Sequence, residues 1–214
     1  MFVYDRNMAA VNQVEEEVLG RLLRGEIPPG TRLQQDEIAE EMQVSKIPVR
    51  EGLQRLTALG LLRFEPNRGV FVPDLTAEEA EENFALRSGI EPLLLSRSAP
   101  KLSIVDLAEA ELALTTKRSL PEANWTFHHS LYQASGWTRG LAIVKILHAA
   151  MAPYVLLYAE HLDDSNTSAK QHFEILDLCR RGDVDEAISN LETHLNQAER
   201  TLLEFLKTRS ETNG

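Results

Sequence analysis

The sequence predicts a mainly α-helical protein, with an N-terminal winged helix-turn-helix over residues 1–74 and an all-helical bundle over residues 75–214. Three observations predict it. Residues 44–56 read as a capped helix with a cationic front. Residues 61–72 read as two short apolar strands around a basic tip. From Thr76 to Lys207 nearly every segment carries helical periodicity, with no convincing strand.

Val14, Val18, Leu19, Leu22 and Leu23 repeat at helical spacing, and that helix stops at Gly25. Pro28-Pro29-Gly30 then turns the chain, because proline presets the turn and glycine relaxes it. A second helix buries Ile38, Ala39 and Met42, and Gln43 takes the tight turn into Val44. In the third helix Ser45 is placed to cap, and Pro48 falls in the first turn, where a missing N–H costs nothing. Val44 and Val49 can close over the cap as a hydrophobic staple. Leu53 and Leu56 continue the apolar stripe, while Lys46, Arg50 and Gln54 stand four apart on a different face. A packed back and a cationic, amide-bearing front suit the major groove of duplex DNA. Gly60 closes the helix, and Leu61–Phe64 and Val70–Val72 flank a hairpin tip of Glu65, Pro66, Asn67, Arg68 and Gly69.

At 214 residues the chain can hold one large domain or two small ones. Its net charge of -11 excludes a general nucleic-acid binder. The distribution restores a site-specific one: Met42 to Val72 carries five cations (Lys46, Arg50, Arg55, Arg63, Arg68) against two acids (Glu51, Glu65). The single cysteine, Cys179, allows no intramolecular disulfide and reads as core packing in an amphipathic helix. No signal-peptide block and no apolar run long enough to cross a bilayer is expected, which makes the reducing cytoplasm the default location. Residues 1 to 10 and 208 to 214 are expected to fray.

In the second part, Thr76 to Glu79 reads as a capping box, and Ser103 to Asp106 as another helix start. Gly136 and Gly140 bracket an expected break around Trp137, and Gly182-Asp183 separates two further helices. Six or seven helices result, a bundle by default. Asn124 and His128, four apart, project from one helix face; His172 and His194 lie on two later helices. Three imidazoles and an amide oxygen could hold a divalent metal, and the same histidines also suit ordinary core or surface positions. His129 reads as a solvent or helix contact, His148 as a cavity or packing residue, and His161, beside Asp163 and Asp164, as a helix-end or surface residue. Arg87 and Glu91, also four apart, read as an exposed ion pair, and Pro92 should kink their helix.

These residues carry a family resemblance. Pro29-Gly30-Thr31-Arg32-Leu33, Val44 to Glu51 and Pro66-Asn67-Arg68-Gly69 resemble three ordered blocks of the GntR family of bacterial transcription regulators. The resemblance implies Lys46 and Arg50 as base or phosphate contacts, with Arg68 and Gly69 at the wing; Arg32, Ser45, Gln54 and Asn67 complete the expected DNA-binding set. Two departures are Lys46, where arginine is usual, and the run Gln34-Gln35-Asp36, where many members place a phosphate-binding arginine. Lysine lacks the planar fork that grips guanine twice. Asn124 to His128, Gln171 to Leu176, Gly182-Asp183 and His194 resemble the FCD effector domain of the FadR-like branch. The metal set of an aspartate and three histidines in that branch falls on Asn124, His128, His172 and His194, with Asn in place of Asp. Zn²⁺ or Ni²⁺ is expected ahead of Mn²⁺, because imidazole dominates the shell. The resemblance also implies Arg87 as an effector contact, and His148, if it faces the cavity from a neighbouring helix, is a second candidate.

The expectation is therefore a dimeric, ligand-responsive regulator on a palindromic DNA operator, modulated by a small organic acid at a metal site. A metal-independent pocket is an alternative, favoured by the missing carboxylate at Asn124. A metal-dependent hydrolase is the third reading. No HExxH-type pair supports it, and Glu122, two residues before Asn124, points to another face.

Overall fold

The structure is a computed structural model that describes the backbone of residues 2–161 and 165–212 and the side chains of residues 7–156 and 167–209. The reading of Asp163 and Asp164, and of the side chain of His161, lies outside the described residues. The winged head comprises α1 (Phe2–Leu23), β1 (Arg32–Leu33), α2 (Gln35–Glu41), α3 (Lys46–Ala58), β2 (Arg63–Glu65) and β3 (Gly69–Phe71). The body comprises α4 (Ala77–Ser98), α5 (Ile104–Thr115), α6 (Leu120–Tyr132), α7 (Thr138–His161), α8 (Ser165–Arg181) and α9 (Val184–Thr212). The chain ends expected to fray are helical instead, α1 from Phe2 and α9 to Thr212.

The hairpin forms as expected and gains a third strand: β1 pairs antiparallel with β3, Arg32 opposite Phe71 and Leu33 opposite Val70. A two-residue strand has too short a pattern to be read from sequence. The sheet order β1-β3-β2 therefore puts Arg32 beside the wing. Ser45 takes the N-cap conformation of α3, yet its hydroxyl caps nothing. Pro48, the third helical residue, has no N–H to offer, which removes one of the two usual partners of a capping hydroxyl. α2 ends with Val44 N–H donating to Ala39 O and Gln43 N–H to Glu40 O. That turn forces Gln43 to a left-handed φ of 53°, a conformation glycine adopts at no steric cost.

Three apolar cores result. The head core packs Val14, Val18 and Leu22 of α1 on Val49, Leu53 and Leu56 of α3, and takes in Ala149 from α7. A second unites α4 to α9 around Phe127, Leu131, Tyr132, Val144 and Leu176. The third joins Phe84, Met151, Tyr154 and Leu202. α7 thus feeds all three, which accounts for its composition. Contrary to expectation, its span Thr138–Leu156 is long and apolar enough to cross a membrane by length and composition. Here those apolar residues meet α1, α4, α6 and α9.

One glycine expectation changes. Gly140 lies inside α7, where a Cβ would come 3.0 Å from Leu94 Cδ2, so the break falls at Gly136 alone. Helix α4 runs through Pro92 without interruption. The Thr76–Glu79 and Ser103–Asp106 capping boxes both form. Cys179 is buried in the second core, and burial pushes its thiol up to about 11.

Replacing Gln43 by glycine should raise the unfolding free energy, since a non-glycine residue in this conformation costs roughly 1 kcal/mol. Urea denaturation followed by circular dichroism measures it, and an unchanged or lowered midpoint contradicts it.

Candidate functional site

The head presents one exposed polar face. Lys46, Arg50 and Gln54 point outward from α3, while Pro48, Val49, Leu53 and Leu56 are buried behind them. Ile47 is 54% exposed beside Lys46 and extends this front with an apolar group. Its exposure depends on helix phase and could have been read from the pattern. Because Ser45 makes no cap, its hydroxyl and the first N–H groups of α3 are left for a ligand. At the wing, Asn67 sits at a left-handed φ of 62°, and a Cβ on Gly69 would lie 3.2 Å from Arg32 Nε. Arg32 and the wing tip therefore form one cluster.

The cations of this face are not all free. Lys46 Nζ lies 2.8 Å from Asp36, and Glu65 pairs with both Arg63 and Arg68. Arg55 turns away: it donates to Asn12 Oδ1 at 2.8 Å and to Glu15 at 3.1 Å on α1, so it leaves the basic patch read from sequence. Arg50 has no acidic partner among the described residues.

The body gathers its histidines from three helices. His128 of α6, His172 of α8 and His194 of α9 are all buried, with candidate ligand nitrogens within 4.8 Å of one another. Hydrogen bonds assign their protons. Tyr132, one turn beyond His128, donates its hydroxyl to Glu91 Oε2 at 2.7 Å. Having spent that proton, it can only accept from His128 Nδ1, 3.1 Å away. His128 Nε2 is then a bare lone pair, buried and without any hydrogen-bond partner. His194 Nδ1 donates to Gln171 Oε1 at 3.0 Å, which leaves its Nε2 facing His172 Nε2 at 3.1 Å. Burial holds all three imidazoles well below their ordinary pKa and hence neutral. Nitrogens bound to one ion at about 2.1 Å stand about 3.0–3.4 Å apart for right-angled to tetrahedral coordination. The donor set fits such an ion.

Asn124 belongs to the same neighbourhood. Its Nδ2 donates to His148 Nδ1 at 3.4 Å, and His148 Nε2 donates to Glu91 Oε1 at 3.2 Å. Both residues line a small cavity of about 30 Å³ with Arg87, Trp125 and His194. The exposed Arg87–Glu91 pair expected from spacing is in fact buried, with side chains 5% and 0% exposed and Nε 2.5 Å from Oε1. The reason is that α4 turns this face into the bundle, under α6 and α7. Burial raises the Glu91 carboxyl pKa, and Arg87 and His148 more than reverse it, so it ends well below the usual range. A larger cavity of about 180 Å³ opens beside Asn124, His172 and His194, with Leu114, Leu120 and Val155 as apolar lining and Arg118 and Gln197 as polar lining.

Sequence reasoning missed Tyr132, Gln171 and Arg118. Tyr132 had a signal, its spacing of four from His128; the other two had none. His129 is half-buried, its ring 5.0 Å from that of Trp125. Glu122, in the first turn of α6 and two residues before Asn124, pairs with Arg118 at 3.5 Å.

A winged head docked on a histidine-centred helical body defines a DNA-binding regulator with a ligand-sensing domain. The description "Bacterial regulatory proteins, gntR family" matches residues 10–72, and "FCD domain" matches residues 82–197. An HTH-type transcriptional regulator of Streptomyces ambofaciens is 31% identical over 184 residues, covering 79% of this chain and 75% of that one. The transcriptional repressor RspR of Escherichia coli K12 is 23% identical over 211 residues, 94% of this chain and 92% of its own. Among solved structures, E. coli McbR/YncC shares the fold, with a TM-score of 0.80, 22% identity, and coverage of 91% of this chain and 97% of that one. The chain belongs to the GntR family of bacterial regulators and carries an FCD effector-binding domain. It is a transcriptional regulator with a DNA-binding head, and its relatives are regulators rather than enzymes.

Removing Glu91 leaves Arg87 buried without a counter-charge. Glu91→Ala should cost about 3–5 kcal/mol of stability, and the double change Arg87→Met with Glu91→Leu should recover most of it. Because the carboxyl pKa is depressed, the contribution of the pair is complete above about pH 4.3, the ordinary glutamate value, and is lost as pH falls through the folded value. Equilibrium unfolding across pH tests both; equal losses in the single and double variants refute the first.

Proposed function

We propose that this protein is a homodimeric regulator whose operator affinity is set by a small carboxylate bound at a divalent metal held by His128, His172 and His194. The observation that carries this reading is the orphaned Nε2 of His128. A buried lone pair with no partner is costly, and beside two further imidazole nitrogens a cation satisfies it. Tyr132 and Gln171 support it by fixing Nδ1 protons and aiming Nε2 inward, as outer-shell partners of metal-bound histidines do. Asn124 can add its amide oxygen. The metal would polarise and hold an oxyanion of the ligand; zinc or nickel suits this imidazole-rich set ahead of manganese.

Charge favours an acid as effector. The three histidines are neutral and Arg87 is balanced by Glu91. With Asn124 in place of an acid, two positive charges of a divalent ion would stay uncompensated in a buried site, and a carboxylate neutralises one of them. The adjoining cavity, with Arg118 in its lining, has room for a small organic acid.

On the DNA side, Arg50 and Gln54 are read as base contacts, Lys46 as a base or phosphate contact, and Ser45 with the α3 N-terminus as a phosphate site. Arg32, Asn67, Arg68 and Gly69 would follow the wing into the adjacent groove. Pairing of Lys46 with Asp36, and of Arg68 with Glu65, is compatible with this, since exposed ion pairs are weak and exchange readily for phosphate. A palindromic operator requires two copies. Leu86 and Leu93, each about half exposed on α4 and flanking Gly89, offer an uncharged stripe for a second copy. Residues 1–74 would act as the DNA-binding unit and 75–214 as the sensor, inside the cytoplasm.

The test uses a duplex selected from a random library. Arg50→Ala should weaken its binding by about 1–3 kcal/mol. His172→Ala should remove the metal found by elemental analysis. In a thermal-shift screen of small carboxylates, chelator should abolish any stabilisation. Stabilisation that survives both chelator and His172→Ala refutes the metal reading and favours a metal-free pocket, for which the missing acid at Asn124 speaks.

A further inference from the structure

Head and body are fastened at two places, and each fastening is carried by a helix that also lines the histidine centre. At the first, α1 ends with Glu26 N–H donating to Arg21 O and Gly25 N–H donating to Leu22 O, both at 2.9 Å. These bonds leave the Arg24 carbonyl as an open acceptor at the helix end. The Ser119 hydroxyl donates to it at 2.8 Å, while accepting from Glu122 N–H at 3.3 Å as the N-cap of α6. The fit is tight. A Cβ on Gly25 would fall 2.8 Å from Pro121 Cγ and 3.2 Å from Leu156 Cδ1. At the second, the Tyr154 hydroxyl of α7 accepts from Leu75 N–H and donates to the Pro73 carbonyl at 3.3 Å, holding the linker.

The first turns of α6 therefore have two roles. Ser119 and Pro121 hold the end of α1, and Asn124 and His128 follow within the next two turns. Trp125 joins them: it packs against the head core and against the body core, and its ring lies 5.3 Å from that of His148. His172 and His194 already stand 3.1 Å apart, whereas no hydrogen bond reaches His128 Nε2. Bringing the three nitrogens to coordination distance thus falls mainly on His128 and on α6.

We infer that α6 is the lever between sensor and head, with Ser119 as the latch that transmits its displacement to the end of α1. The inference rests on the metal reading above and deepens it. A ligand alters DNA affinity only if it favours one placement of the heads, and α6 spans the distance from centre to head in a single rigid element. Ser119 is a positioning residue: it touches neither metal nor DNA.

Hydrogen exchange on the full chain, read by mass spectrometry with Zn²⁺ alone as probe, tests this, with titration calorimetry reporting binding. Zinc should change exchange in peptides covering residues 19–30 by about fivefold or more, the low end of coupling between sites. Ser119→Asp keeps an acceptor for the α6 cap but has no proton for the Arg24 carbonyl. It should bind zinc as the parent does and lose the change at 19–30. Ser119→Asn, which supplies both acceptor and donor, should restore it. Gly25→Ala, which wedges a methyl against Pro121, should cause the same loss from the head side. Zinc binding without a response at 19–30, or a full response in Ser119→Asp, overturns the lever and leaves the metal reading standing. No zinc binding at all overturns the metal reading, and the lever falls with it.

Discussion

The buried carboxylate of Glu91 organises the body. It is fully enclosed, and an unpaired charge there would cost several kcal/mol. Arg87 compensates the charge from the same helix; the Tyr132 hydroxyl and His148 Nε2 complete its hydrogen bonding from α6 and α7. One ionised group thereby ties three helices together and sets the direction of every proton around it. Since Tyr132 must donate to Glu91, His128 must donate to Tyr132, and the lone pair left over faces His172 and His194. The orientation of a candidate metal ligand thus follows from a carboxylate that does not itself join the ligand set.

Helix α7 shows how one element can serve two bodies. Val144 enters the core of the body, Ala149 that of the head, and Met151 and Tyr154 a third cluster between α4 and α9. A helix that packs on several sides has few positions left for charge, so by composition alone it resembles a membrane span. The same sharing means the winged head is not an independent bead on a linker. Its core is completed by the sensor, and its first helix ends against α6.

The exposed polar face of the head is compatible with a polyanionic partner although the chain as a whole is acidic. The chain carries a net charge of -11, yet α3 and the wing show lysine and arginine outward. Several of those cations rest on nearby acids, Lys46 on Asp36 and Arg68 on Glu65, which lowers the non-specific attraction of the face. Arg50 is exposed and has no acidic partner among the described residues.

Much of this was legible in the sequence, for local reasons. Helix phase fixed which residues of α3 would be outside, so Lys46, Arg50 and Gln54 were separable from Leu53 and Leu56 without coordinates. Capping boxes at Thr76 and Ser103 depend on neighbours three residues away, and they formed as read. Wherever an outcome hung on distant partners, the sequence was silent or misleading. Arg87 and Glu91 had the spacing of an exposed pair, and only the packing of α4 beneath α6 and α7 made them a buried hub. Arg55 belonged to a basic stretch until α1 supplied Glu15. Spacing put His128, His172 and His194 on three helices; whether their nitrogens converge is a property of how those helices cross, which tertiary structure alone decides.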